Sequence, residues 1–478
     1  MWDLLQQTKN TLEQKYYQVF DHNLRLAVTG LSRSGKTAFI TSLINHLLNA
    51  DDDRGHLALF TPVQQQQILS CKIVPQPNFN VPSFTYSKNL SVLSTNPPTW
   101  PQATTDISEI RLAIRYQNNK SFFDKLTSIN FREHNTLYLD LIDYPGEWLL
   151  DLPLLHLSYA QWSQSGNFLD TALRQKLAQP WLQTLEQLDL YAPVDLEQLA
   201  QISQLYTEFL HQCKAQGLEF IQPGRFVLPG SYKNSPLLTF FPLVHIESTE
   251  WSKLLKHASK EPNSTIAILK ERYEQYVEQL VKGFYEQHFK RFDRQIILVD
   301  CLTPLNHSDL AFFETKKALE QIFAHFTYGQ RSLWHRLFMP QIDKLAFAAT
   351  KADHITSDQW SNLVSLLKNL TRENLREVNF KNIETAYFAL AAIRATEQLE
   401  FTQDGKTQFA LAGKRLGESE TSYQYPGQVP SSVPQADFWQ NNKFAFDQYH
   451  PLPLNSEQRI NAIGMDKVLD FLLADKFA

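Results

Sequence analysis

Apolar positions along this 478-residue chain fall into two rhythms, and the order in which they alternate predicts the architecture. Compact apolar runs read as buried strands: Leu24-Arg25-Leu26-Ala27-Val28-Thr29, Leu137-Tyr138-Leu139-Asp140-Leu141-Ile142-Asp143 and Gln295-Ile296-Ile297-Leu298-Val299-Asp300. Leu345-Ala346-Phe347-Ala348-Ala349-Thr350 and the run over 386–392 read the same way. Residues 109–116 alternate with period two, which predicts a half-buried strand. A short loop over 117–135 then makes it the antiparallel neighbour of the Asp143 run. Three- and four-residue spacing predicts helices over 37–48, near 308–326, over 357–370 and around Val468, Leu469, Phe471 and Leu472. The third of these opens with Thr356-Ser357-Asp358-Gln359, a capping-box spacing.

Strands and helices alternate except between about 150 and 293. There Leu199, Ile202, Leu205, Tyr206, Phe209 and Leu210 form one helical stripe. Ile266, Leu269, Tyr273, Val277, Leu280 and Phe284 form another, in a helix of more than six turns. The chain exceeds the size at which one hydrophobic core stops growing. We therefore expect a helical insertion domain (150–293) within a discontinuous α/β domain (23–149 and 294–478). Residues 400–460, rich in Gly, Pro, Ser and Gln, read as hairpins and loops; 74–108 read as a long mobile stretch. Residues 1–22 read as a separate helix whose stripe (Trp2, Leu5, Leu12, Tyr16, Phe20) suits the protein's own body better than a membrane surface.

Composition removes several classes of function. A net charge of −5 offers no basic excess for nucleic acid. Cys71, Cys213 and Cys301 are scattered, without the spacing of a zinc cluster or disulfide scaffold, and fit a reducing compartment. No apolar run is long enough to span a bilayer and no signal peptide is evident, so a cytoplasmic location is expected.

The chemistry begins between the first strand and the first helix. Gly30-Leu31-Ser32-Arg33-Ser34-Gly35-Lys36-Thr37 fits the G-x-x-x-x-G-K-[ST] pattern in the strand–loop–helix context that pattern needs. Gly30 and Gly35 let successive amides, with those of Ser32, Arg33, Ser34 and Ala38, turn toward a phosphate at the positive end of the helix dipole. Lys36 would reach the β- and γ-phosphates, and the Thr37 hydroxyl would ligate Mg²⁺.

Two later elements refine this. Asp143-Tyr144-Pro145-Gly146 places a carboxylate at a strand end, where it would hold water on Mg²⁺, and a glycine amide for the γ-phosphate. Thr104 or Thr105, in the loop before the 109–116 strand, would close over the metal as a first switch. Thr350-Lys351-Ala352-Asp353 matches [NT]-K-x-D. The Asp353 carboxylate can accept from guanine N1–H and N2–H together, a donor pair adenine lacks. The Lys351 stem can lie along the base, and the Ala392 and Ile393 segment can offer an amide to the guanine oxygen.

These elements stand in the order of the Ras-like GTPase class, and the chain resembles the YcjX-like family of bacterial P-loop proteins. The likeness rests on the phosphate loop, Asp143-Tyr144-Pro145-Gly146-Glu147-Trp148, Arg225-Phe226-Val227-Leu228-Pro229-Gly230, the Thr350 tetrad and Tyr425-Pro426-Gly427-Gln428-Val429-Pro430. The resemblance implies a Ras-like P-loop NTPase domain (α/β, a mixed, mostly parallel sheet with flanking helices) carrying a helical insertion. It also implies GTP and GDP binding and an association with bacterial stress responses. Two departures matter: Thr350 replaces the usual Asn, and Glu147 stands where a water-orienting Gln is common, so slow hydrolysis is expected. Arg225 and Arg33 compete as an internal arginine finger. The reading is a Mg²⁺-dependent GTP-hydrolysing switch acting on an unidentified protein effector. A P-loop phosphotransferase and a nucleotide-binding scaffold with negligible turnover are the alternatives.

Overall fold

The structure, a computed structural model, describes residues 22–51, 57–103, 105–117, 134–165, 168–327, 342–375, 383–403, 406–435, 437–442 and 444–477. The helix expected over 1–22 falls outside these residues up to His22, which opens a strand. By its contacts the chain divides into two units. One holds the described residues up to Tyr144, with 292–306 and those from 342 onward; the other holds 145–291 and the described part of 307–340. Helix Asp309–Thr327 thus groups with the second unit, although its position in the chain suggested the α/β domain. Buried Arg174 explains it: its guanidinium meets Glu314 on that helix at 2.5 Å and also donates to the Phe220 carbonyl.

The first unit is built on seven strands: β1 (His22–Thr29), β2 (Ile68–Val74), β3 (Ser108–Gln117), β4 (His134–Asp143), β5 (Arg294–Val299), β6 (Lys344–Ala349) and β7 (Glu384–Ala389). Their order is β2-β3-β4-β1-β5-β6-β7. From β4 across to β7 every pairing is parallel, while β3 runs antiparallel to β4 and β2 to β3. The β3–β4 pair was expected; β2 was not. Leu69 and Ile73 of β2 are exposed, so its pattern lacks the apolar continuity of a buried strand.

One face of the sheet supplies Leu24, Leu26 and Val28, which pack against Phe39, Ile40, Leu43, Ile44 and Leu47 of helix Lys36–Leu48. Val468, Leu469, Leu472 and Leu473 of helix Met465–Leu473 close the same core. Each such side chain contributes about 1.5–3 kcal/mol by leaving water, so Leu43→Ala costs about 2–5 kcal/mol with its cavity. The second helix is latched by Arg294, fully buried, which binds Asp343, Asp475 and the Leu472 carbonyl. The stretch over 74–108 is more ordered than its composition suggests. It contains helix Tyr86–Leu93, because Phe84, Tyr86 and Leu93 all find buried positions.

After β6, a short 3₁₀ turn Ser357–Gln359 leads into helix Trp360–Leu375. The expected capping box does not form. Gln359 donates to the Thr356 hydroxyl at 3.0 Å but spends its remaining capacity on Gly427 O and Val429 N–H, tying down the proline-bearing loop there. A three-stranded antiparallel sheet follows: β8 (Thr396–Gln403), β9 (Lys406–Lys414) and β10 (Thr421–Gln424), in order β10-β9-β8.

The second unit is helical. Segment Gly146–His156 is a 3₁₀ helix with Trp148, Leu149, Leu150, Leu152 and Leu154 buried. Helices Ala172–Leu185 and Leu196–Ala215 pack together, the latter capped by the Asp195 carboxylate on two backbone N–H groups. The long helix starts at Thr265, widens to a π turn over Val277–Lys282 and runs on to Gln287. Tyr276 rather than Val277 takes the inward position, drawn by a 2.6 Å hydrogen bond from its hydroxyl to Asp151. Trp162, Tyr206, Phe226, Phe240 and Tyr273 form the aromatic centre of this unit.

Candidate functional site

The carboxyl ends of β1, β4, β5 and β6 face one edge of the parallel sheet, where open α/β sheets bind ligands. β1 ends at Thr29 and the chain turns at Gly30 with φ 156°. A Cβ there would lie 2.3 Å from the Leu298 carbonyl oxygen and 2.4 Å from Ser34 Oγ, so only glycine fits. Arg33 (φ 62°) and Gly35 (φ 87°) both take left-handed conformations. Such alternation points neighbouring amides into a common concavity, an anion nest. Gly35 N-caps helix Lys36–Leu48, whose first turn carries no acidic residue to compete with an anion. Lys36 is 7% exposed and folds back over the loop, donating to Gly30 O at 2.6 Å and Leu31 O at 3.2 Å. Ser34 Oγ is buried without a hydrogen-bond partner, a cost that a bound oxyanion would remove. Ser32, Thr37 and Ala38 are half-buried, and Arg33 is exposed.

Beside this loop, Asp143 closes β4 in register with Val28 of β1, and its side chain is buried. Thr37 and Asp143 are both hard oxygen donors, the type Mg²⁺ takes when phosphates and water complete its shell. They fit that ion; Asp143 fits as a ligand or as the holder of a metal-bound water. Thr105 is exposed in the loop before β3, and Thr104 lies outside the described residues.

At the far side of the edge, β6 runs into the Thr350 tetrad. Thr350 stays with the sheet: its N–H bonds Val299 O at 2.9 Å. Lys351 adopts a left-handed conformation, φ 61°. Its ammonium lies 2.6 Å from Asp300 Oδ2 and 2.8 Å from Thr303 Oγ1. Burial alone would raise the Asp300 carboxyl, but the Lys351 ammonium and the Thr303 donors outweigh it and hold it below the usual range. Asp353 is 4% exposed. Its Oδ2 accepts the Ala395 N–H at 2.6 Å, and its Oδ1 meets His354 Nδ1 at 3.1 Å. Burial pushes this carboxyl up; the His354 imidazole and the backbone N–H more than compensate, so Asp353 too is held below its ordinary value. Next to it, Ala391 pairs with Ile463, Ala392 is half-buried and Ile393 is buried.

Gly146, Glu147 and Arg225 belong to the second unit, where they stand together. Glu147 is buried and accepts a 2.5 Å hydrogen bond from Lys214. Gly224 presses against it so closely that a Cβ would lie 2.1 Å from Glu147 O. Arg225 is buried with its guanidinium 3.6 Å from the centre of the Trp148 ring, a cation–π stack. Asp151, fully enclosed, accepts from Gly224 N–H at 2.7 Å and from the Tyr276 hydroxyl at 2.6 Å. Burial pushes its carboxyl up to about 6 against the pull of those donors and of Arg225.

The structure thus gathers the phosphate loop, Asp143, the Thr350 tetrad and the 391–395 turn on one unit, and Gly146, Glu147 and Arg225 on the other. Sequence reasoning missed Asp300, Thr303, His354 and Asp151. For Asp300 a signal existed: a carboxylate directly after a buried parallel strand, three residues before a threonine. Among the described residues, no helix is long and apolar enough to cross a membrane.

Residues 24–477 match the model of the YcjX-like family, DUF463. A protein of Escherichia coli (strain K12) named Ras-like GTPase YcjX is 44% identical over 472 residues, spanning 99% of this chain and 100% of that relative. A protein of the same name from Shewanella oneidensis (strain MR-1) is 39% identical over 475 residues, with 96% of each covered.

Proposed function

The chain belongs to the YcjX-like family, and from that premise we propose that it binds and hydrolyses GTP as a Mg²⁺-dependent switch whose helical unit carries the signal to a protein effector. The observation that supports this best is the pairing, on one sheet edge, of a phosphate nest at Gly30–Thr37 with a buried, ionised Asp353 beyond β5 and β6. The nest and Lys36 hold the β- and γ-phosphates. Asp353 accepts from guanine N1–H and N2–H, and the Ala392 and Ile393 segment supplies an amide for the base oxygen.

Thr37 and Asp143, with Thr104 or Thr105, would hold the metal, which when bound neutralises charge on the transferring phosphate. Glu147 is already engaged by Lys214 and Arg225 by Trp148, which supports slow intrinsic turnover and leaves a finger role to an outside partner or to Arg33. The same engagement favours one second reading, a nucleotide-dependent scaffold with negligible hydrolysis. Family resemblance supports a role in a bacterial stress response, with helical residues 150–293 as the inserted lobe; the scattered cysteines support a reducing, cytoplasmic location.

Titration of the purified protein with GTP, GDP and ATP, with and without Mg²⁺, tests the reading. Guanine nucleotides should bind far more tightly than ATP. Lys36→Ala should weaken all of them by about 100-fold or more, as the loss of a charged phosphate partner does. Equal affinity for ATP and GTP would refute the guanine assignment, and phosphate release too slow to detect would favour the scaffold.

A further inference from the structure

Lys351 is held in a way that its tetrad alone does not explain. Its backbone sits at φ 61°, a conformation residues with a β-carbon resist and which persists only where the surroundings impose it. Its side chain has four rotatable stem bonds, yet the ammonium is fixed between Asp300 Oδ2 at 2.6 Å and Thr303 Oγ1 at 2.8 Å.

Asp300 is itself immobilised. It directly follows β5, whose Val299 pairs in register with Ala349 of β6, one residue before the tetrad. Its Oδ1 accepts the Leu302 and Thr303 N–H groups at 3.1 and 3.0 Å, capping helix Leu302–His307. The Thr303 hydroxyl donates to Oδ2 at 2.6 Å. Every polar atom in this triangle is therefore matched. The Asp300 carboxylate is 9% exposed while the Lys351 side chain remains 26% exposed, so the lysine is fixed at its tip without being enclosed.

Resting on the guanine-nucleotide reading, we propose that Asp300, assisted by Thr303, is a positioning residue for the base end of the site. It pins the Lys351 ammonium so that the methylene stem forms a rigid surface along the guanine plane, beside the carboxylate of Asp353. A stem fixed before binding loses no further freedom when the base arrives. Asp300 thereby raises affinity for the base without touching the phosphates. A merely structural tie between β5 and β6 would act on every nucleotide alike.

The test compares wild type, Asp300→Asn and Thr303→Val by GDP, GTP and ATP titration and by steady-state GTP hydrolysis. Asp300→Asn should raise Kd for GDP and KM for GTP by about tenfold, leaving kcat and ATP affinity unchanged, because a neutral amide holds an ammonium weakly. Thr303→Val, with only an exposed hydroxyl removed, should give about a threefold rise in the same quantities and serves where the first variant folds poorly. Combining Asp300→Ala with Lys351→Met should cost no more than Lys351→Met alone, since one residue acts through the other. Equal losses for ATP and GTP, additive losses in the double variant, or unchanged guanine affinity would overturn the proposal. If wild type prefers guanine and Asp300→Asn does too at full affinity, only this proposal fails; if wild type shows no guanine preference, the underlying reading fails with it.

Discussion

Asp353 in the α/β unit and Asp151 in the helical unit are buried in nearly the same way, yet their carboxyls are shifted in opposite directions. Each accepts backbone N–H groups, Ala395 among them at Asp353 and Gly224 with Arg225 at Asp151, and one side-chain donor. Asp353 meets an imidazole, which can carry positive charge, and is held below its ordinary value. Asp151 meets a phenol; the nearest cation, Arg225, is stacked on Trp148, and burial pushes the carboxyl up to about 6. Burial and hydrogen-bond count therefore do not decide the charge of an enclosed carboxylate; the charge of its partner does. A carboxylate that reads guanine, the role proposed for Asp353, has to accept hydrogen bonds at every working pH, and a carboxyl held below its usual range suits that role. Asp151, which joins the Gly146–His156 segment to Gly224 and to the long helix, takes up its proton at a higher pH than an ordinary carboxylate.

The contrast can be broken most severely at Asp353. Asp353→Asn swaps an acceptor oxygen for a donor facing guanine, and should lower GTP and GDP affinity by about 1,000-fold while sparing ATP. Calorimetry showing the same loss for ATP would remove Asp353 from base reading.

A pH series sharpens the Asp151 side. Its folded-state value, about 6, exceeds the ordinary 3.8, so between these limits the folded chain keeps a proton that the unfolded chain releases. Stability from this group is full below about pH 4 and is lost as pH rises through 6, by about 3 kcal/mol in all. Urea unfolding from about pH 4 to 7 should show that slope in wild type and lose it in Asp151→Asn; parallel slopes would contradict the assignment. Removing only the phenol, by Tyr276→Phe, leaves the ionised carboxylate without its 2.6 Å donor. It should cost about 1–2 kcal/mol at neutral pH and less where Asp151 is protonated; a loss independent of pH would mean that Tyr276 acts through packing alone. The smallest effect is expected at His354. His354→Ala frees one oxygen of Asp353 and should weaken GDP by about fivefold, and an unchanged Kd would show that the Ala395 amide alone holds the carboxylate.

Legibility followed sequence distance. The phosphate loop could be read because its eight residues are contiguous and each acts through its own backbone or side chain. The sheet could be read because parallel strands covered on both faces are apolar end to end, as in residues 345–349. Most of what stayed hidden joins residues remote in sequence: Asp151 with Tyr276, 125 positions apart, and Lys351 with Thr303, 48 apart; His354, next to Asp353, escaped because no spacing marks an imidazole as that carboxylate's partner. No local pattern announces such pairs. Strand β2 escaped for a different reason: at the sheet's rim, with Leu69 and Ile73 exposed, it carries neither alternation nor an unbroken apolar run. The capping-box spacing at Thr356 was read but not used, because Gln359 is claimed by a loop that folds over it from Gly427 to Val429.

Helix Met465–Leu473 has a consequence for the order of assembly. Its Val468 and Leu472 share a core with Phe39 and Leu43 just behind the phosphate loop, and Asn45 there receives the Ile460 amide from 415 positions away. During synthesis the nest therefore leaves the ribosome long before its own foundation exists. Until residues 460–473 arrive, the helix carrying Lys36 lacks the apolar partners that cover this flank in the finished fold.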